Sequence, residues 1–413
     1  MSTRTIPFIT GDGIGTEIMD AARRVVNAAV SKAYNGINHI DWMEIPAGES
    51  AFKQHGEYLP AATIASIQEH KVAIKGPLTT PVGGGFRSLN VTLRQMLDLY
   101  VCLRPVAWFE GLPSPHRSPD GIDVVIFREN TEDLYAGIEY AAGTPDHLHF
   151  MQAFQSTLKS DYARIPTPAD CGIGIKPISK GNSQRLVGAA LEWALAHNRK
   201  RVTLVHKGNI MKYTEGAFME WGYDEAEQYF ATKVFTRRDF QRIAASSGKA
   251  AADKAKQDAI AAGKIWVDDV IADVVFEQLI THPQQFDVIA TTNLNGDYIS
   301  DAAASLAGGV GISPGANINY RSRVALFEAN HGSAQAIAGM DKANPSSLIL
   351  SAAMMLDFIG WEKAAEFVRD GLRESIRHKQ VTFDLAAQIP GAVTLGTQAF
   401  AHKIITTIQS EEK

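Results

Sequence analysis

Cysteine is nearly missing from this chain: Cys102 and Cys171 are the two present, far apart, with no CxxC and no histidine cluster beside either. That excludes a disulfide-built scaffold and a thiolate zinc centre, and it suits a reducing compartment. One disulfide between the two stays open on sequence grounds. Long apolar runs are missing too. The most apolar helical stretch, 348–359, carries Ser351 and Asp357 and is shorter than the roughly 20 residues a bilayer requires. The opening MSTRTIPFITGDG has no basic head followed by an apolar segment. The expectation is a cytoplasmic protein with no membrane association. Basic excess is also absent. A net charge of −5 argues against a nucleic-acid surface, while a locally basic site for a small anion remains compatible with it. There is no internal repeat and no low-complexity linker, so domains are expected to interleave along the chain.

Strand-like and helix-like segments alternate, which predicts an α/β fold. Residues 5–10 read as a strand near a sheet edge, because Pro7 interrupts them. The turn Gly11–Gly15 follows, then a helix with Ile18, Met19, Ala22, Val25, Val26, Ala29 and Val30 on one stripe. Strand, glycine turn and helix imitate a dinucleotide fingerprint. The third glycine position is Thr16, and no acidic residue ends a second strand about twenty positions on. The turn therefore reads as a feed into a buried helix, and the fold as other than a standard Rossmann domain. Further strands are expected at 72–74, 123–127, 202–206, 287–292 and 324–329. Helices are expected at 183–197 and 211–231, with another starting in 266–273. Residues 133–178 hold two β-like pieces around a helix and do not resemble part of a central parallel sheet. The alanine- and lysine-rich stretch 247–264 reads as a solvated excursion. Asn344 and Pro345 read as N-cap and first helical residue.

The polar residues at strand ends and helix starts form two sets. Arg94, Arg104, Arg128 and Lys207 are basic, and Asp269, Asp273, Asp297 and Asp301 are acidic. Guanidinium forks hold carboxylates in bidentate fashion, and Ser88, Asn90 and Tyr135 add hydrogen bonds. Aspartates without His or Cys partners suit a hard cation, Mg²⁺ or Mn²⁺. The plainer alternatives are surface arginines, solvated helix faces for the i, i+4 aspartate pairs, and a packed β-edge tyrosine.

GGGFRSLNVTLRQMLDLYVCLRP (83–105), FRENTEDLYAGIEY, LVHKGNIMKYTEGAF, NLNGDYISD and FEANHGSA, in this order over nearly the whole chain, resemble the isocitrate/isopropylmalate (β-decarboxylating) dehydrogenase family, specifically its bacterial homodimeric isocitrate dehydrogenases. The resemblance implies that family's fold: a large domain (1–99 and 308–413), a small domain (100–132 and 179–307) and a dimer clasp (133–178). It implies oxidative decarboxylation of isocitrate to 2-oxoglutarate and CO₂. Ser88, Asn90, Arg94, Arg104 and Arg128 would hold the substrate, with Ser88–Asn90 selecting isocitrate over homologues such as homoisocitrate. Tyr135 and Lys207 would transfer protons, and Asp269, Asp297 and Asp301 would bind Mg²⁺ or Mn²⁺. Lys207 and Asp269 would reach the site from the partner of a homodimer. Thr80, His331, Gly332, Ser333, Ala334, Ile337 and Asn344 would bind the nicotinamide cofactor. NADP-using relatives tend to carry Lys-Tyr where this chain has Ala336-Ile337, and Tyr and Arg where it has Phe383 and Ala387. Their loss implies NAD as the preferred cofactor, with NADP as the alternative. Some relatives are switched off by phosphorylation at the serine matching Ser88. The remaining alternatives are a related 3-substituted malate as substrate, or a non-catalytic carboxylate-binding protein.

Overall fold

The computed structural model describes residues 2–79 and 88–410. An eleven-stranded sheet runs through it. Across the sheet the strands are Asn38–Glu44, Ser2–Ile9, Val72–Lys75, Val324–Ala329, Pro314–Asn319, Val101–Ala107, Asp123–Glu129, Val288–Thr291, Arg201–His206, Ile265–Ile271 and Val234–Thr236. Both flanks are parallel. In the middle, Pro314–Asn319 and Val101–Ala107 pair antiparallel with each other and with their outer neighbours. Two parallel α/β halves therefore run in opposite directions about an antiparallel centre. The strand interiors are apolar because helices cover both faces, as parallel sheets demand.

The antiparallel register sorts side chains onto two faces, since residues directly opposite each other point the same way. Glu328 lies opposite Gly315, Cys102 opposite both Asn317 and Arg128, and Arg104 opposite Ile126. This face carries charge. The other face is apolar, and Leu103, Val125, Ile318 and Phe327 line a cavity of about 520 Å³ there.

One strand expectation changes, while Ser2–Ile9 lies second in the sheet, next to the edge strand. Its inner neighbour pairs only with Phe8 and Ile9, so Pro7 lies just outside the doubly paired stretch. Residues 265–271 form a strand where a helix start was expected, and the helix begins at Ala272. Ile265, Trp266, Val267, Val270 and Ile271 are β-branched or aromatic, and strands on both sides take their backbone bonds. Asp269 and Asp273 consequently do not share a helix face.

The first helix, Gly15–Ala33, packs against Glu362–Arg377 and the last helix, Thr397–Ser410. Helix Ser346–Phe358 is buried through most of its length. Outside the main sheet, Glu139–Tyr140 pairs antiparallel with Ile173–Gly174, and helix Pro145–Thr157 lies between them in sequence. Helices Arg237–Ser247 and Lys249–Ala261 are largely exposed, with the Lys256 ammonium 3.8 Å from the Trp266 ring centroid. Cys102 and Cys171 are both free. Among the described residues no helix is long and apolar enough to cross a membrane.

Candidate active site

A cavity of about 230 Å³ opens on the charged face. Ser88, Asn90, Arg94, Arg104, Arg128, Tyr135 and Asp297 line it, together with Lys75, Glu328, Asn330 and His331. Four cations, Lys75 and the three arginines, face two carboxylates, Asp297 and Glu328, in this wall. The surplus of positive charge is what a polycarboxylate needs.

Each side chain is set by its element. Ser88 immediately precedes helix Leu89–Met96, which aims Asn90 and Arg94 inward. Among the described residues, the Asn90 Oδ1 is buried without a hydrogen-bond partner, an acceptor left for a ligand donor. Arg104 sits mid-strand and donates to Ser300 Oγ at 2.6 Å and to Asp301 Oδ1 at 3.4 Å. Arg128, 1% exposed, donates to Asn293 Oδ1 through Nε at 3.0 Å and Nη2 at 2.8 Å, and to Asp297 through Nη1. Helix Asn293–Leu306 places Asp297 and Asp301 one turn apart on the same side. The Tyr135 hydroxyl donates to Asp297 Oδ2 at 2.5 Å.

The electrostatics follow from this packing. Burial pushes the Asp297 carboxyl up, but Arg128, the Tyr135 hydrogen bond and Arg104 outweigh it and hold it below its ordinary value. Burial and the neighbouring Asp297 push Asp301 up, against Arg104. Tyr135 is pushed up to about 12, by burial first and by its bond to Asp297. It is a proton donor throughout the neutral range. Burial, foremost, lowers the His331 pKa, against the Gly332 carbonyl and Asp384, which raise it.

Sequence reasoning missed Lys75 and Glu328. Glu328 accepts from Lys75 Nζ at 2.6 Å, Arg94 Nη2 at 2.8 Å and Asn317 Nδ2 at 2.7 Å. Burial raises its pKa, and Lys75 and Arg94 bring it far below the carboxylate range. The signal was available: VAIK and VALFEA are apolar strands, each with one charge that burial forces to find a partner.

Lys207 and Asp269 lie elsewhere in the chain and do not line this cavity. Lys207 Nζ donates to Asp273, and Asp269 accepts from the Tyr223 hydroxyl at 2.5 Å and pairs with Arg237 at 3.5 Å. As metal donors, Asp297 and Asp301 offer the hard oxygens that Mg²⁺ or Mn²⁺ requires. Within one chain, among the described residues, no three His, Cys, Asp or Glu side chains converge to hold a metal.

Of the expected cofactor residues, Thr80 falls outside the described residues. His331 and Gly332 line the cavity, and among the described residues His331 Nε2 is buried without a partner. Ser333 Oγ accepts from Thr79 at 2.8 Å, and its carbonyl accepts from the Ile14 N–H at 3.0 Å. The turn at Gly11–Gly15 thus braces this loop. Ala334 adopts φ +39, Ile337 packs partly buried against the core, and Asn344 Nδ2 donates to Asp384 at 2.9 Å.

A sequence profile of the isocitrate/isopropylmalate dehydrogenase family matches residues 5–404. An isocitrate dehydrogenase [NADP] of Staphylococcus epidermidis is 52% identical over 404 residues, covering 98% of this chain and 95% of the relative. One from Coxiella burnetii, also named isocitrate dehydrogenase [NADP], is 50% identical over 98% of this chain and 91% of its own length. The crystal structure of isocitrate dehydrogenase from Methylococcus capsulatus superposes with a TM-score of 0.78 at 37% identity, covering 98% of this chain and all of that one. The expectation of NAD is corrected by these relatives, which carry NADP in their names across nearly the full length. It rested on side-chain donors missing at Ala336, Ile337, Phe383 and Ala387. A phosphate is also held by backbone N–H groups and by donors from other segments, which four side-chain identities leave uncounted.

Proposed function

The chain belongs to the isocitrate/isopropylmalate dehydrogenase family, and from that premise we propose that it converts isocitrate to 2-oxoglutarate and CO₂ with NADP as hydride acceptor. The observation that carries this is the convergence of Arg94, Arg104 and Arg128 on one small cavity that also holds Tyr135 and Asp297. Three guanidiniums match a tricarboxylate, and a tyrosine donor beside a carboxylate matches a reaction that ends in protonation of carbon.

The arginines, with Ser88 and Asn90, fix the three carboxylates and so orient the C2–H bond. Asp297 and Asp301, with Asp269 of a second subunit, would hold Mg²⁺ or Mn²⁺. Bound there, such an ion would supply Lewis-acid polarisation of the substrate. Tyr135, protonated at neutral pH, delivers a proton to the carbon that loses CO₂. Lys207 would assist proton transfer in the partner's site, because its ammonium stands with Asp273 and away from its own cavity. A homodimer with shared sites, clasped through residues 133–178, accounts for this separation. His331 to Ala334, Ile337 and Asn344 would hold the cofactor.

The test is absorbance at the reduced-nicotinamide band with isocitrate, Mg²⁺ and each cofactor in turn. The expected result is turnover with the higher kcat/KM for NADP. No turnover overturns the reaction, and a higher kcat/KM with NAD overturns the cofactor.

A further inference from the structure

Lys176 lies in the stretch between the small two-stranded sheet and helix Lys180–Ala196, remote from the cavity wall in sequence and absent from its lining. Its ammonium, 14% exposed by side chain, is 2.5 Å from Asp133 Oδ1 and 2.9 Å from Glu215 Oε1. Both carboxylates are fully buried. Each is also bound to a segment carrying a candidate proton-transfer residue. Asp133 starts the short helix that holds Tyr135, and it accepts from the Leu134 N–H at 2.8 Å and the Leu294 N–H at 2.9 Å. Its φ of +71 is one that a non-glycine residue keeps only where its surroundings fix it. Glu215 accepts from the Lys207 N–H at 2.9 Å, Thr292 Oγ1 at 2.8 Å and Asn295 Nδ2 at 2.7 Å.

We propose that Lys176 is a positioning residue: one buried ammonium that ties the Tyr135 helix, the Lys207 turn and the start of the helix carrying Asp297 into a single rigid unit. The proposal rests on the reaction assigned above. In a dimer with shared sites, Tyr135 serves one site and Lys207 the other, so Lys176 sets the geometry of both from a single point. The physical reason is that two buried carboxylates this close repel unless a cation lies between them. Without it, one or both must move, and Tyr135 or Lys207 moves with its backbone.

Lys176→Met, Lys176→Arg and Glu215→Gln test this, with two readouts. Steady-state kinetics should show kcat lower by roughly 10- to 100-fold in Lys176→Met, as for misplaced catalytic groups. The KM for isocitrate should change less than about threefold, because Ser88, Asn90 and Arg94 hang on other elements. Lys176→Arg should keep most of the rate. Amide hydrogen exchange should accelerate in 133–137 and in 207–211 together in Lys176→Met. Glu215→Gln, close in shape, serves if that variant does not fold, and should loosen 207–211. Unchanged kcat, or faster exchange in only one of the two segments of Lys176→Met, overturns the proposal. So does unaltered exchange at 207–211 in Glu215→Gln. A wild-type chain that does not turn over isocitrate overturns the reaction and with it the catalytic side of the proposal, while exchange still decides whether the tie exists.

Discussion

The Tyr135 hydroxyl donates to Asp297 Oδ2 at 2.5 Å, although the two residues are far apart in sequence, one on a short helix outside the main sheet and one on the helix that follows Val288–Thr291. The same carboxylate accepts from Arg128 through its other oxygen, Oδ1. Asp297 therefore joins the proposed proton donor to a guanidinium proposed to bind substrate, on the side of the site proposed for the metal.

Tyr135→Phe removes the donor and keeps the ring, whose face lies 4.8 Å from the Arg128 guanidinium carbon. The expected outcome is a loss of kcat of roughly 100-fold or more, the usual scale for a positioned general acid. The isocitrate KM should change little. Steady-state rates check it, and a kcat within twofold of wild type refutes the role of Tyr135.

Asp297→Asn removes a proposed metal ligand and leaves Arg128 without its counter-charge. Turnover at a Mg²⁺ concentration that saturates the wild type should fall by roughly 100-fold. A Mn²⁺ titration followed by electron paramagnetic resonance should show weaker binding. Wild-type affinity and rate together would remove Asp297 from the metal site.

The proposed sharing of sites between subunits makes a prediction about mixtures. Lys207→Met and Asp297→Asn chains, each inactive alone, should regain activity when unfolded together and refolded. A random mixture contains heterodimers in which one site has neither defect, giving about a quarter of the wild-type activity. No recovery, with heterodimers demonstrated, places Lys207 and Asp297 in the same chain's site.

Glu328→Gln leaves the buried ammonium of Lys75 and guanidinium of Arg94 without their shared anion. Loss of one member of a buried ion cluster costs about 3 kcal/mol or more, so urea-unfolding midpoints should drop clearly. Isocitrate KM should rise, because Arg94 loses the partner at 2.8 Å that orients it.

Gly13→Ala tests the brace between the first turn and the cofactor loop. Gly13 has φ +57, and a Cβ there would stand 2.1 Å from the Ser333 carbonyl oxygen. The loop must shift, so the KM for NADP should rise by roughly tenfold, about 1.4 kcal/mol, with isocitrate KM nearly constant.

Glu129 gives the pH dependence. Burial, foremost, pushes its carboxyl from 4.5 up to about 7, against hydrogen bonds from Thr131 and the Glu132 N–H that favour the charged form. The native state binds this proton more tightly than the unfolded chain does, so the contribution is fully present below pH 4.5 and is lost as pH rises to about 7. Wild type should lose up to about 3 kcal/mol relative to Glu129→Gln across that interval, at ~1.4 kcal/mol per unit. Parallel stability curves for the two proteins refute it.

The sequence by itself determined the α/β class, most strands, the turn-and-helix reading of Gly11–Gly15, and the set Ser88, Asn90, Arg94, Arg104, Arg128, Tyr135 and Asp297. These were legible because periodicity reports burial locally and because each residue stands in a contiguous recognisable motif. Only the tertiary structure decided which of them meet. The antiparallel centre places Arg104, Arg128 and Glu328 on one face through a register that no local pattern encodes. Residues 265–271 read as a helix start until strands on either side supplied their hydrogen bonds. Lys75, Glu328 and Lys176 were passed over because a charge in an apolar or irregular stretch shows its purpose only once its partners, far along the chain, are brought against it. Lys207 and Asp269 stand in motifs that mark them as a basic and an acidic candidate, yet within one folded chain neither lines the cavity that Asp297 lines, since strand order and not sequence spacing fixes where each one lies.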